Sequence, residues 1–261
     1  MKKDKRIVHE APSQVTGFWG TGASGATSFS LEYARQLAEL GRKTLLIDFD
    51  LKDPSLMVYL AIDNYPSGLQ AGLRLASQQR LDASNINELI VDSELTKNLS
   101  FMAGLPVSGR FRSIDTESVG QMVEVLKSWF DELVIDIGPL VSQELNSQVF
   151  SLQQELMSSS DELYGVYRAD PEGIAKLFWL SVSGELVANF YRPGSLGAGG
   201  KKGLKSLMAE MTGKPLQAVV EEDDYLVQAI AKGCSAGEVS KKSSISTMIR
   251  QLLQNRFDSS G

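Results

Sequence analysis

The stretch that decides the fold is Val15-Thr16-Gly17-Phe18-Trp19-Gly20-Thr21-Gly22-Ala23-Ser24-Gly25-Ala26-Thr27-Ser28. Its apolar start predicts a strand, which runs into a glycine-rich turn and then into a segment with helical spacing. Gly20, Gly22 and Gly25 can adopt positive φ, so that successive N–H groups point at one anion. The unpaired N–H groups and the dipole of the helix that follows favour a phosphate at the same place. The stretch therefore predicts a phosphate-binding loop.

This loop lacks the lysine that phosphate-binding loops usually carry. The pattern G-x-x-x-x-G-K-[ST] is met by Gly20, Gly25 and Thr27, but Ala26 occupies the lysine position. Thr27 or Ser28 stands where such loops offer a hydroxyl to Mg²⁺. The alternative is a tight strand-to-helix connection that binds nothing. The candidate nucleotide-binding residues of the loop are Gly20, Gly22, Ala23, Ser24, Gly25, Ala26, Thr27 and Ser28.

Acidic residues follow two other predicted strands. The apolar run 45–47 ends in Asp48 and is followed by Asp50, and the run 133–135 ends in Asp136. Unbroken apolar runs of this length suit strands that are buried on both faces of a parallel sheet. Open α/β sheets bind their ligands at the carboxyl ends of such strands, so we expect the three acids to flank one metal-phosphate site. The alternative is that these carboxylates cap helices or hydrogen-bond within loops.

The rest of the chain alternates between strand and helix patterns. Residues 1–13 are charged and predict a flexible tail, and no linker divides residues 14–258. We therefore predict a single α/β domain with a doubly wound, mostly parallel sheet and helices on both faces. The further strands are predicted at 99–102, 163–167, 186–191 and 216–220, and the helices at 31–40, within 54–91, at 119–126, at 141–157, after Pro171, after the loop 193–202 and at 244–257.

Composition limits the compartment and the partners. The chain has 261 residues, 43% of them hydrophobic, and a formal net charge of −6, which gives no overall attraction to nucleic acid. Cys234 is the only cysteine and excludes an internal disulfide, and His9, the only histidine, falls in the predicted tail. No signal-peptide pattern and no run of roughly 18 apolar residues is present, so we expect a cytoplasmic protein.

The glycine loop, 45–50 and 134–139 together resemble the MinD/ParA superfamily of deviant P-loop ATPases. The similarity is greatest to the branch that contains the pilus and septum positioning proteins CpaE and TadZ. The loop of that family reads K-G-G-x-G-K-[ST], which puts Thr21 at the first lysine position and Ala26 at the second. The segments 66–69, 102–106 and 187–192 also look like the CpaE pattern, so the resemblance covers nearly the whole chain.

The resemblance implies ATP and Mg²⁺ as cofactors and assigns roles to individual residues. It implies that Asp50 positions the attacking water and that Asn189 reads the adenine, with Arg192 nearby. It also implies a homodimer that recruits protein partners at a pole, a septum or a pilus-assembly machine. Contact with the inner face of the membrane would then come through those partners. The implied metal ligands, partly through water, are Thr27, Asp48 and Asp136.

The two missing lysines set the expected activity. Each lost charge-assisted hydrogen bond to phosphate is worth about 1.5–3 kcal/mol, so we expect weak nucleotide binding. Phosphoryl transfer depends on positioned positive charge, so we expect slow or absent hydrolysis. Basic residues from other loops could replace the lysines, or they could be solvated surface charges. The candidates at the ligand edge are Lys52, Arg192, Lys201 and Lys202.

Three functions are compatible with these residues. The first is a nucleotide-dependent positioning switch, the second is a nucleotide-independent pseudo-ATPase scaffold, and the third is an active ParA-like partition ATPase acting on DNA. The third needs a basic surface, which the acidic composition does not predict.

The predicted C-terminal helix has an apolar stripe that allows two interpretations. A stripe of this kind can target a membrane surface or pack onto the sheet. Packing is favoured because the basic residues nearby are few and are diluted by serine and glutamine. The stripe consists of Ile245, Met248, Ile249, Leu252 and Leu253, and the basic residues are Lys241, Lys242, Arg250 and Arg256.

Overall fold

A computed structural model describes residues 13–105, 114–180, 183–194 and 199–258. The strands are β1 (Gln14–Gly20), β2 (Thr44–Asp48), β3 (Val91–Asp92), β4 (Leu99–Met102), β5 (Glu132–Pro139), β6 (Glu162–Arg168), β7 (Glu185–Tyr191) and β8 (Leu216–Glu221). The helices are α1 (Ala26–Glu39), α2 (Leu56–Tyr59), α3 (Gly68–Ser77), α4 (Ala83–Ile86), α5 (Thr116–Lys127), α6 (Ser147–Ser158), α7 (Pro171–Leu177), α8 (Gly200–Thr212), α9 (Asp224–Lys232), α10 (Ala236–Val239) and α11 (Ser244–Asp258).

The eight strands form one sheet in the order β3-β4-β2-β5-β1-β6-β7-β8. Every pairing is parallel except that of β3 with β4. The predicted doubly wound, mostly parallel sheet is therefore confirmed. The predicted tail with His9, and parts of the loops 103–113 and 193–202, lie outside the described residues.

Side chains of alternate strand residues build a separate core on each face of the sheet. Leu45 and Ile47 belong to one core, while Leu46 between them belongs to the other. The first core is completed by α3, α5, α6, α7 and α8, and the second by α1, α2, α9, α10 and α11. The middle of each of the strands β2 and β5 is an unbroken apolar run, 45–47 and 133–135, because both faces of these strands are covered.

The structure differs from the sequence prediction at three places. Helix α6 begins at Ser147 and not near residue 141, because the Asn146 side chain accepts a hydrogen bond from the Val149 N–H and caps the helix there. The two-residue strand β3 and the helices α9 and α10 were not predicted. Strand β3 and helix α10 are short, and helices α9 and α10 follow one another closely in the chain. The positions of all three elements depend on contacts with distant parts of the chain.

The C-terminal helix packs against the protein, as the favoured interpretation predicted. Its stripe of Ile245, Ile249 and Leu253 is buried in the second core. Arg256 reaches the start of β5, where its Nη2 lies 2.8 Å from an oxygen of Glu132. Its Nη1 also donates to the Tyr33 hydroxyl of α1 at 2.9 Å. The helix is therefore held by apolar burial along its length and by an ion pair near its end.

Two further features bear on the predictions from sequence. Cys234 is buried in the second core, as expected for a small packed residue. In the part of the chain that the structure describes, none of the helices has both the length and the hydropathy needed to cross a bilayer.

Candidate functional site

The loop between β1 and α1 has the backbone of an anion-binding site. Gly22, Ala23 and Gly25 have φ values of 79°, 49° and 90°. Left-handed residues within a turn direct neighbouring N–H groups toward one concave side. Gly25 caps α1 without any side-chain hydrogen bond, so no side chain neutralises the positive end of this 14-residue helix. The loop therefore presents N–H groups and a helix dipole at one place.

Asn189 holds this loop in its shape. Its side chain is only 1% exposed, and its Nδ2 donates to the Ser24 carbonyl at 2.9 Å. A Cβ on residue 25 would lie 2.6 Å from the same Nδ2, so the close approach of β7 requires glycine there. The amide thus acts on the backbone of the phosphate loop. Adenine recognition by Asn189 stays a prediction.

The two positions where the family motif has lysine have different environments. Ala26 lines the cleft in front of the loop. Thr21 is 7% exposed, is absent from the cleft lining, and its buried hydroxyl has no hydrogen-bond partner among the described residues. Its N–H donates to the Val166 carbonyl at 3.3 Å. Ala26 is likewise 7% exposed, so the two positions differ in whether they border the cleft and not in burial: position 26 lines the cleft and position 21 does not.

The register between β2 and β5 brings two of the acids together. Asp48 and Asp136 are paired residues on these neighbouring strands, and each is only 1% exposed. Asp48 accepts hydrogen bonds from the N–H groups of Leu56 at 3.0 Å and of Asp50 at 3.1 Å, one through each oxygen. Asp48 thereby fixes the loop after β2.

Asp136 lies directly behind the hydroxyl of the phosphate loop. Its Oδ1 accepts from the Gly138 N–H at 3.2 Å, and the Thr27 hydroxyl favours its ionised form by lowering the pKa of the carboxyl. Thr27 itself lines the cleft, while Asp136 does not. This layering suits a metal that contacts the hydroxyl directly and the carboxylate through water.

Burial raises the pKa of both strand-end acids above their ordinary value of 3.8. The pKa of Asp48 rises to about 8, first because the group is buried and second because Asp136 is close. The pKa of Asp136 rises to about 6, again mainly through burial, while the nearby Thr27 hydroxyl opposes the rise and the charge of Asp50 adds to it. A cation at this site would relieve the repulsion between these carboxylates.

Asp50 is the acid that reaches the cleft. Its Oδ1 accepts from the N–H groups of Lys52 at 2.9 Å and of Asp53 at 3.0 Å, which orients the carboxyl group at the start of the loop. A Cβ on residue 138 would lie 2.7 Å from the Asp50 Cγ, and Gly138 has φ 74°, so glycine is required opposite this side chain. Asp50 is thus held at the cleft wall, where the predicted water-positioning residue would have to be.

These residues surround a cleft of about 560 Å³. Residues 20 and 22–28 form its floor, and Asp50, Lys52 and Asp53 form one wall. Phe190, Leu226 and Ile230 form an apolar wall that the sequence prediction missed. For Leu226 and Ile230 the available signal was the helical spacing in 224–232, a segment for which no helix was predicted.

The four basic candidates are not equivalent. Lys52 lines the cleft, is exposed, and has no ion pair among the described residues. Arg192 is bound to Glu222 by two hydrogen bonds, and Lys201 lies 2.7 Å from Glu221. Neither Arg192, Lys201 nor Lys202 lines the cleft. Of the basic residues that the structure describes, Lys52 is the one that lines this cleft.

The donors at the site fit a magnesium nucleotide. Mg²⁺ prefers oxygen ligands and usually keeps several waters beside one or two carboxylates and substrate phosphates. The cleft offers the Thr27 hydroxyl with the Asp136 carboxylate behind it, and the loop offers N–H groups to phosphate. No cluster of three or more His, Cys, Asp or Glu side chains able to hold a metal by themselves occurs within the described ranges. A metal here would need phosphate oxygens to complete its shell.

Comparison with curated proteins finds septum site-determining proteins. The chain is 22% identical over 228 residues to the septum site-determining protein MinD of Helicobacter pylori. The aligned region covers 84% of this chain and 81% of that protein. No protein-family profile matches the chain.

Solved structures share the fold at similarly low identity. A ParA family ATPase from Chlorobium tepidum has a TM-score of 0.75 at 18% identity, covering 91% of this chain and 96% of its own. MinD of Pyrococcus horikoshii, solved with Mg-ADP, has a TM-score of 0.69 at 18% identity, with coverages of 95% and 97%. The MinC:MinD complex of Aquifex aeolicus gives 0.67 at 17% identity, with coverages of 93% and 96%. The chain therefore has the MinD/ParA P-loop fold.

Proposed function

We propose that this protein is a nucleotide-dependent positioning protein of the MinD/ParA type that binds ATP with Mg²⁺ weakly and hydrolyses it slowly or not at all. In its ATP-bound form it is a homodimer that recruits protein partners. Pilus-assembly, polar and septal machines are the partners that the CpaE/TadZ resemblance suggests. The observation that carries the proposal is the loop of left-handed residues at the start of α1 with the Thr27–Asp136 pair behind it.

The loop supports phosphate binding without lysine because its donors belong to the backbone. Each missing lysine removes about 1.5–3 kcal/mol of interaction with phosphate, which is about ten- to a hundredfold in affinity. A micromolar site would become roughly millimolar after two such losses. The N–H groups and the helix dipole do not depend on side chains and are retained.

Lys52 supplies part of the missing positive charge in this proposal. It stands on the cleft wall across from the phosphate loop, next to Asp50 and Asp53. Because these acids and the buried Asp48–Asp136 pair make the site negative, nucleotide binding should require Mg²⁺ strictly.

The proposal predicts that Mg-ATP raises the melting temperature and the dimer fraction of the purified protein. Thermal shift and analytical ultracentrifugation with Mg-ATP, Mg-ADP and Mg-GTP measure both effects, and ATP with EDTA is the control. Lys52→Ala should weaken Mg-ATP binding about tenfold in calorimetry. Lys202→Ala, a lysine outside the cleft, is the matched control and should leave affinity unchanged.

The second candidate is a pseudo-ATPase scaffold that needs no nucleotide. The specific observation in its favour is that neither position 21 nor position 26 carries a cation. If no nucleotide alters the melting temperature or the dimer fraction, the nucleotide-dependent switch is contradicted and the scaffold function is supported. Gly25→Asp, which places a charge in the loop, should then leave partner binding intact.

Magnesium nucleotide binding should become tighter as the pH rises from about 6 to about 8. The raised pKa values of Asp48 and Asp136 mean that these carboxyls hold protons in this range, and Mg²⁺ favours their ionised forms. Binding at about pH 7 should therefore release protons, whereas binding at about pH 9 should not. Calorimetry in two buffers of different ionisation enthalpy measures the release. A binding enthalpy at pH 7 that is the same in both buffers contradicts the prediction.

A further inference from the structure

The sheet ends at β8, and the outer edge of this strand has no neighbour among the described strands. Its pairing is with β7 alone, over residues 216–221. An edge strand presents N–H and C=O groups that another extended segment can pair with. The phosphate loop follows β1, three strands away in the sheet order, so this edge is separate from the nucleotide cleft.

Two helices turn the edge of β8 into a groove. Leu204 and Met208 of α8 are buried in the first core, and Ile245 and Ile249 of α11 are buried in the second, so the helices lie on opposite faces of the sheet. A groove of about 480 Å³ runs between them along residues 217–221. It shares none of its lining residues with the nucleotide cleft. An extended peptide in this groove would meet a strand edge at its floor and a helix on either side.

The walls of the groove carry an excess of positive charge. Lys201 and Lys205 stand one turn apart on α8, and Lys242 precedes α11 on the other side. Glu221 is the one acidic residue in the lining, and it pairs with Lys201 at 2.7 Å. Lys205 and Lys242 have no ion pair in the described part of the chain. The groove is thus basic on a protein whose net charge is −6.

Charge also excludes the chain's own N-terminal segment as a complementary occupant. Residues 1–12 contain four basic residues, Lys2, Lys3, Lys5 and Arg6, and two acidic ones, Asp4 and Glu10. A net positive segment would be repelled by Lys205 and Lys242. A suitable occupant has the opposite charge and an extended backbone.

We propose that the β8 groove binds an acidic, extended peptide segment of a partner protein, which adds to the sheet as a ninth strand. Backbone hydrogen bonds to the β8 edge give affinity, and the lysines select acidic side chains on the added strand. This site does not depend on the nucleotide, because the groove and the cleft are built from different residues. The β8 groove can therefore bind a partner whether or not a nucleotide occupies the phosphate loop.

The experiment uses the full chain and a fluorescein-labelled peptide of alternating glutamate and valine. Fluorescence anisotropy should show binding that weakens with salt, and the lysine-for-glutamate peptide should not bind. The same glutamate peptide with an N-methyl group on every residue, which has no N–H group left to donate from either edge, should not bind either. Hydrogen exchange should slow at residues 216–221 with the unmodified peptide and remain unchanged at β3, at the opposite edge of the sheet.

Charge-reversing variants complete the test. Lys205→Glu with Lys242→Glu should weaken peptide binding by about tenfold or more. Lys97→Glu with Lys232→Glu makes the same change in net charge at exposed lysines outside the groove and should bind as the unmodified protein does. Three results overturn the proposal: no binding of the glutamate peptide, equal binding of the N-methylated peptide, or equal loss in both double variants. Binding of a single-stranded DNA oligomer at the lysines with no protection of residues 216–221 also overturns it, in favour of a polyanion site.

Discussion

Replacing Ala26 with lysine should turn a weak nucleotide site into a working one. Position 26 lines the cleft at the first residue of α1, so a lysine there can extend along the phosphate loop. We expect Mg-ATP affinity to rise about ten- to a hundredfold, because a charge-assisted hydrogen bond is added. Since one positioned cation can contribute about 10³–10⁵ in phosphoryl transfer, we expect ATP turnover to rise by at least about 10³. Steady-state phosphate release and calorimetry measure the two effects.

Two variants separate charge from other effects at the loop. Ala26→Met has a comparable length without charge and should gain neither affinity nor turnover. Thr21→Lys should lower the melting temperature without a gain in activity, because the Thr21 side chain is buried and lies outside the cleft. If Ala26→Lys binds Mg-ATP no more tightly than Ala26→Met, the remaining residues do not form a nucleotide site. If Ala26→Lys binds Mg-ATP more tightly but does not hydrolyse it, the defect in hydrolysis lies instead at Asp50 or in dimer formation.

Removing the guanidinium of Arg256 should cause the largest loss of stability among the changes considered for this protein. Arg256 pairs with Glu132, whose side chain is 1% exposed, and burial raises the pKa of that carboxyl while Arg256 and Arg42 oppose the rise. Arg256→Ala leaves the carboxyl with Arg42 alone. Breaking a buried pair from one side costs about 3–5 kcal/mol, and we expect the lower end because Arg42 remains. The melting temperature should fall by on the order of 10 °C.

Arg250→Ala is the matched control on the same helix. Its guanidinium makes a 3.3 Å hydrogen bond to the Lys241 carbonyl near the surface, so its removal should cost under about 1 kcal/mol. If Arg256→Ala is as mild as Arg250→Ala, the ion pair does not hold α11. Flotation with anionic vesicles adds a second readout, because a released α11 would bind them. We expect no binding by the unmodified protein and a gain only where Arg256 is lost.

Much of this fold follows from local pattern. The apolar runs at 45–47 and 133–135 predicted strands covered on both faces, and the acids after them were expected to lie at one sheet edge, where Asp48 and Asp136 are paired residues. The glycines at 20, 22 and 25 allowed a backbone with positive φ, and the structure has positive φ at Gly22 and Gly25, whereas Gly20 is the last residue of β1. The apolar stripe of α11, with few basic residues beside it, favoured packing onto the protein over membrane binding, and the stripe is buried. In each case the signal lies within a few residues of the chain.

Several features of the site could not be predicted because they depend on contacts between residues far apart in sequence. Asn189 and Ser24 are 165 positions apart, and only the pairing of β1, β6 and β7 brings them to 2.9 Å. Arg192 and Lys201 looked equal to Lys52 in sequence, but Glu222 and Glu221 on neighbouring segments pair with them. The helical spacing of α9 is visible in the sequence, but its position beside the cleft depends on tertiary packing.

The sequence by itself determined the parallel sheet, the phosphate loop and the absence of both loop lysines, because strand burial, glycine conformation and side-chain charge are properties of short segments. Tertiary structure alone decided that Ala26 and Thr27 line the cleft while Thr21 and Asp136 do not, and that Lys52 is the lysine, among the described residues, that borders it. It also decided that the outer edge of β8, which has no neighbour among the described strands, lies between α8 with Lys201 and Lys205 on one side and α11, preceded by Lys242, on the other. These outcomes depend on strand order and register, which are fixed by the packing of the two cores and not by any one segment.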